Sequence, residues 1–141
     1  MNNINNPVKT IMTKELITVN PETLGSEVDA LFKNNNFHHL PVIDNNNDIV
    51  GIISSSDYHQ LQHHFTRLNL VQSDRENVKI FRSILAKEFM TENPVCLHED
   101  DTIEKAIDIF LQNKIHAIVV TNGKKVSGIL TALDILKAIK A

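Results

Sequence analysis

The chain repeats itself. Met12-Thr13 returns as Met90-Thr91, and Gly51-Ile52-Ile53-Ser54-Ser55-Ser56-Asp57 returns as Gly128-Ile129-Leu130-Thr131-Ala132-Leu133-Asp134, at an almost constant offset. At 141 residues, such a duplication leaves room for two very small domains or for one body made of two stacked units. One copy alone could bury only a thin core, so the two are expected to share one and to fold as a single body.

The same order of elements runs between the anchors of both copies. Leu16-Ile17-Thr18-Val19 and Val95-Cys96-Leu97 are short β-prone runs, each followed by a polar turn. Leu24, Val28, Leu31 and Phe32 then line one face of a helix, as do Ile103, Ala106, Ile107, Phe110 and Leu111, with Thr102 placed to cap the second. Two strands follow in each copy: His39–Ile43 and Ile49–Ile53 around Asp44-Asn45-Asn46-Asn47-Asp48, then Ala117–Val120 and Val126–Leu130 around the hairpin signal Asn122-Gly123. Each copy therefore reads as β-α-β-β-α, an α/β chain of the α+β type. The expected boundaries are residues 8–62 for the first repeat, 63–84 for a helical connector and 85–141 for the second. Within the connector, Ser73-Asp74-Arg75-Glu76 has the form of a capping box ahead of an apolar helical stripe.

Composition narrows the function classes. Apolar residues make up 42 % and charged residues 22 %, which suits a folded chain and argues against disorder. The formal charge of -3, with lysines and arginines scattered, gives no basic stripe for nucleic acid. Cys96 is the only cysteine, so no internal disulfide framework is possible. The N-terminal residues lack a basic region followed by an apolar run, and no stretch reaches the about 20 apolar residues that span a bilayer. A cytoplasmic protein without membrane or nucleic-acid partners is expected.

The repeated turn carries the chemistry. Each Gly-x-x-Ser/Thr-x-x-Asp segment lies where a strand hands over to a helix, whose first N–H groups and dipole favour an anion. Ser54 and Thr131 can cap that helix or donate to a phosphate oxygen. Asp57 and Asp134, three residues on, can accept hydrogen bonds from two neighbouring ribose hydroxyls. Gly51 and Gly128 let a backbone come close. A carboxylate beside bare phosphate would repel it, which favours a nucleoside phosphate. A Ser or Thr followed by Asp is also an ordinary stabilising helix cap, so a single occurrence would mean little. Two occurrences on matching strands mean more.

With the Met-Thr openings, the segment Phe37-His38-His39-Leu40-Pro41-Val42-Ile43-Asp44 and both Gly-to-Asp turns, the chain resembles a tandem cystathionine-β-synthase (CBS) domain pair, the Bateman module, from about Val8 to Ile139. The resemblance implies two CBS repeats packed through their sheets with pseudo-twofold symmetry, a homodimer, and binding of AMP, ADP, ATP or S-adenosylmethionine in the clefts between paired repeats. It places Thr18 and Cys96 on the first-strand side of the clefts. It places His38, His39, Leu40 and Pro41, with His116, Ala117 and Ile118, at the base and phosphate contacts. Ser54, Asp57, Thr131 and Asp134 would then be the phosphate and ribose groups. The family often has Arg where His38 stands, and the second copy has Val119 in place of Pro and Cys96 in place of a hydroxyl. Few fixed cations are present, so AMP is the expected regulatory ligand, with no cofactor required and an effector protein that the sequence does not name.

Three other constellations bear on function. His59, His63 and His64 on the first repeat's last helix have spacing that could share a metal, but no nearby carboxylate completes a convincing set and a solvated or connector-packing face is expected. Cys96, between Val95 and Leu97, reads as a small core residue. Met12 and Met90 read as packing each unit's first segment against the sheets. No nucleophile with a base, and no phosphate-gripping lysine loop, points to an enzyme. The expectation is thus a non-catalytic sensor, with a ligand-free dimerisation module and a histidine-based metal sensor as alternatives.

Overall fold

Short apolar runs, buried continuously along β-strands and bounded by turn chemistry, produce the strands where the sequence predicts them. The computed structural model of the chain describes residues 3–68 and 82–140. β1 (His39–Ile43) and β2 (Ile49–Ser54) are joined by a turn in which Asn46 N donates to Asp44 Oδ1 at 2.8 Å and Asn47 takes a φ of 63°. Asn tolerates that left-handed backbone better than most residues. β3 (Thr91–Glu92) pairs antiparallel with β2, giving the sheet order β1-β2-β3. In the second sheet β4 (Cys96–His98) runs parallel to β5 (Ala117–Asn122), which pairs antiparallel with β6 (Lys125–Thr131). Gly123 closes that hairpin at φ 65°.

Five α-helices are described, α1 (Gly25–Asn34), α2 (Ser55–Leu68), the single turn α3 (Ala86–Phe89), α4 (Ile103–Leu111) and α5 (Ala132–Lys140), besides a 3-10 turn at Val8–Thr10. Thr102 caps α4 as expected, its Oγ1 accepting from Lys105 N at 3.2 Å. Along α4, Ile103 and Ala106 are buried and Ile107 and Phe110 pack on the core. Leu111, assigned to the same stripe, is instead 76 % exposed at the last residue of the helix. The capping-box segment Ser73–Glu76 lies outside the described residues.

The first strand of the first repeat is shorter than the sequence suggests. Only Val19 pairs, bridging Val42 in parallel through Val19 N to Pro41 O at 3.0 Å and Ile43 N to Val19 O at 2.9 Å. The next residues turn at once: Asn20 N donates to Thr23 Oγ1 at 3.1 Å and Glu22 N to Asn20 Oδ1 at 2.9 Å. Local side-chain acceptors thus end the ladder directly after Val19.

The chain divides into two compact units that do not follow the repeats end to end. One comprises Ile17–Asn46 and Val50–Asn93, and the other Met1–Leu16, Asn47–Ile49 and Pro94–Ala141. In the first, Val19, Val28, Leu40, Val42, Ile53, Tyr58 and Ala86 form the core. Tyr58 packs its ring at 5.9 Å from Phe32 and 6.1 Å from Phe89. Burial, then the charge and hydrogen bond of Asp29, push the Tyr58 phenol well above its ordinary pKa. In the second unit, Val8, Leu97, Ile103, Ala106, Ile118, Val120, Leu130 and Ile135 form the core.

Each repeat is thus completed by a segment lying outside it in sequence. In the second unit, Val8 enters the core fully buried, Val8 N donates to Asp101 O at 2.7 Å, and Lys9 pairs with Asp100 at 2.8 Å. The first amides of α4 find acceptors in the same segment, Ile103 N on Asn6 O at 2.9 Å and Glu104 N on Ile4 O at 2.8 Å. These are the donors that a helix start leaves without intrahelical partners. In the first unit, Ile84 O takes the same part at the start of α1, accepting from Gly25 N at 2.7 Å, and Ala86 N binds Thr23 O at 2.7 Å.

Candidate functional site

Both Gly-to-Asp turns begin as the last residues of a strand and become the first turn of a helix, β2 into α2 and β6 into α5. The Gly-Ile-Ile/Leu stretch supplies the strand, and the hydroxyl residue after it ends the ladder by offering its side chain to the helix amides.

At the first turn, Asp57 N donates to Ser54 Oγ at 3.0 Å, and Ser54 Oγ lies 3.4 Å from Ser56 Oγ. Ser55 N donates to His38 O at 2.8 Å, and Ser55 Oγ sits 3.5 Å from His38 Nδ1. The fold therefore brings His38, Ser54 and Asp57 together on one exposed edge. Among the described residues no hydrogen-bond partner reaches the Asp57 carboxylate. Asp57 also lines an open groove of about 760 Å³ with His59, Gln60, Leu61, His63, Glu88 and Phe89. Glu88 and Phe89 carried no signal in the sequence, because they reach the groove from beyond the connector.

The second turn is wired differently. Thr131 N donates to Asp134 Oδ2 at 2.9 Å and Thr131 Oγ1 to the same oxygen at 3.2 Å, while Asp134 N donates back to Thr131 Oγ1 at 3.4 Å. Asp134 Oδ1 accepts from Thr13 Oγ1 at 3.2 Å. Ala117 stands opposite Thr131 on the ladder. His116 is exposed beside it. Thr13 was missed as a site residue. The repetition of Met-Thr flagged its position but not its target.

The other residues divide by burial. Thr18 is exposed and His39 half-buried, whereas Leu40, Pro41 and Ile118 are buried, Leu40 and Ile118 as members of the two cores. Cys96 is not the core residue its neighbours suggested. Leu97 takes the buried face of β4 at 4 % exposure, so alternation turns Cys96 outward. Its sulfur is nevertheless partly enclosed and donates to Pro94 O at 3.3 Å, and this partial burial raises the thiol pKa. Among the described residues no group of three or more His, Cys, Asp or Glu side chains is gathered as a metal ion would need. None of the described helices is long and apolar enough to cross a membrane.

The glycines of the two turns serve the fold directly. A Cβ on Gly128 would sit 2.6 Å from Met12 Sδ and 2.8 Å from Thr13 O, and one on Gly51 would sit 2.9 Å from Met90 Cγ and 3.0 Å from Thr91 O. The backbone that comes close is the chain's own Met-Thr opening. Met12 and Met90 pack against the sheets as the sequence suggests.

Comparison with known proteins agrees with this architecture. A family profile described as CBS domain matches residues 8–71 and 86–141. The chain belongs to the CBS domain family, as a pair of repeats. It is 29 % identical over 140 residues to an uncharacterized protein of Methanocaldococcus jannaschii, covering 94 % of this chain and 48 % of that protein. It spans about half or less of the length of the first curated relatives that it matches. The crystal structure of CBSX2, a CBS-pair protein of Arabidopsis thaliana, in complex with AMP is similar, with a TM-score of 0.77, 25 % identity and 96 % of each chain covered. The CBS domain pair of protein MJ0100, in complex with 5-methylthioadenosine and S-adenosyl-L-methionine, aligns with a TM-score of 0.73 and 26 % identity over 95 % of each chain.

Proposed function

We propose that this chain is a non-catalytic, cytoplasmic regulatory module that binds an adenosine-containing ligand, AMP in preference to ADP, ATP or S-adenosylmethionine, and signals its occupancy to an effector protein. The observation that carries the reading is the duplicated turn: a hydroxyl and a carboxylate three residues apart at a helix start, in a member of a family with structural neighbours solved with AMP and with S-adenosylmethionine. Ser54 and Thr131 serve the phosphate, Asp57 and Asp134 the ribose. Thr18, His38, His39, Cys96, His116 and Ala117 border the two sites, with the buried Leu40, Pro41 and Ile118 behind them. The shortage of fixed cations near the turns favours one phosphate over three.

Isothermal titration of the chain with AMP, ADP, ATP and S-adenosylmethionine tests the reading. Asp57→Ala is expected to weaken AMP binding at the first turn by about 10- to 100-fold, the loss of hydrogen bonds to a charged acceptor. No heat with any of the four ligands, and no rise in melting temperature, would contradict it.

One observation favours a second reading, a ligand-free dimerisation module. Thr131 and Asp134 satisfy each other as a helix cap would. Both readings include a homodimer. Leu111, Leu133 and Leu136 are 76 %, 57 % and 62 % exposed in the second unit, and their burial against a second copy would stabilise it. Leu133→Glu with Leu136→Glu is expected to convert the dimer to a monomer in sedimentation equilibrium. An unchanged mass would place the dimer contact elsewhere.

A further inference from the structure

The two turns differ in how much of their carboxylate is left for a ligand. An ionised carboxylate offers about four lone-pair sites. At Asp134 three are engaged, two on Oδ2 by Thr131 N and Thr131 Oγ1 and one on Oδ1 by Thr13 Oγ1. At Asp57 none is engaged by a described residue. The first unit has the equivalent Thr91, whose backbone pairs with Ile52 as that of Thr13 pairs with Ile129, yet no hydrogen bond from Thr91 Oγ1 to Asp57 is formed among the described residues.

We propose that the Thr13 hydroxyl competes with ligand for Asp134, making Thr13 the residue that sets the second turn's affinity below that of the first. This rests on the reading that the aspartates accept ribose hydroxyls. A vicinal diol donating two hydrogen bonds to one carboxylate finds a single open acceptor at Asp134. Thr13 must turn its side chain away before the second turn takes its ligand. The change is confined to that side chain. The backbone of Thr13 stays tied to Ile129 by Thr13 N to Ile129 O at 2.9 Å and Ile129 N to Thr13 O at 3.0 Å. Met12 also remains seated over Gly128. The opening segment is thus both a structural strap and an internal competitor, and the turns fill in order, first then second.

The test is AMP titration of Asp57→Ala, whose weakened first turn lets the second dominate the isotherm, and of Asp57→Ala combined with Thr13→Val, which swaps the hydroxyl for a methyl of similar size. The double variant is expected to bind AMP about 3- to 10-fold more tightly than its Asp57→Ala parent, the worth of one released hydrogen bond. Thr13→Ser on the same background restores a hydroxyl and is expected to return the parent's affinity. Equal or weaker binding in the Thr13→Val chain, with its melting temperature matching the parent's, overturns the competition. So does the absence of AMP binding in both variants while the wild type binds, which leaves the first turn's role standing. A wild-type chain that binds no AMP overturns the functional reading itself.

Discussion

Removal of residues 1–16 is expected to unfold the second unit. Val8 is fully buried in its core, and Ile11 and Met12 pack against it. Burying each such side chain is worth about 1.5–3 kcal/mol. The segment also supplies acceptors for Ile103 N and Glu104 N and the ladder partner of Ile129, and each such lost hydrogen bond costs about 1 kcal/mol. Together these losses reach the order of 5–15 kcal/mol, the whole stability of a small domain. Hydrogen exchange on the truncated chain should therefore show β5 and β6 unprotected, while β1 and β2, whose unit draws its completing segment from residues 84–92, keep their protection. Val8→Asp, which puts an unpaired charge into the same core, should act in the same direction. Retained protection of β5 and β6 after truncation would mean that the strap is decoration on a self-sufficient repeat.

Gly128→Val carries the next largest effect. Its Cβ would lie 2.8 Å from the Thr13 carbonyl oxygen, a backbone atom that can move only if the strap lifts from β6. Overpacking of this kind costs about 1–3 kcal/mol, and the branched methyl groups add to it. A fall in melting temperature on the order of 10 °C is expected. Gly123 provides the contrast. It sits at φ 65° with open space around the added Cβ, so Gly123→Ala costs only the strain of a left-handed backbone, about 1 kcal/mol. Equal losses for the two substitutions would show that contact with the strap is not what requires glycine at position 128.

What the sequence made legible is what short-range chemistry decides. The strands from His39, Ile49, Ala117 and Lys125, the Asn-rich turn, the Asn122-Gly123 hairpin and the Thr102 cap all depend on neighbours within a few residues, and all stand close to where they were expected. Alternation in β4 gave a period but not a phase, and Cys96 went to the exposed face because Leu97 fills the core better. The strand expected over Leu16–Val19 came down to one bridge at Val19, and the hydrogen bonds of Asn20 and Thr23 stop it from running further on. The completion of each repeat by a segment from outside it was invisible, since the repeated Met-Thr pair marks where the openings are but not which sheet they join. The same limit hid the third partner of Asp134, because Thr13 lies 121 residues away in the chain. The turns themselves were readable as a pattern, and their inequality became visible only with the strap in place.

The most direct test is the amide spectrum of isotopically labelled chain titrated with AMP. Saturable shifts concentrated on the amides of residues 54–57 and 131–134, larger at the first turn when AMP is limiting, are the expected result. Shifts confined to other surfaces, or a spectrum that AMP leaves unchanged, would contradict the assignment of these turns as the ligand sites.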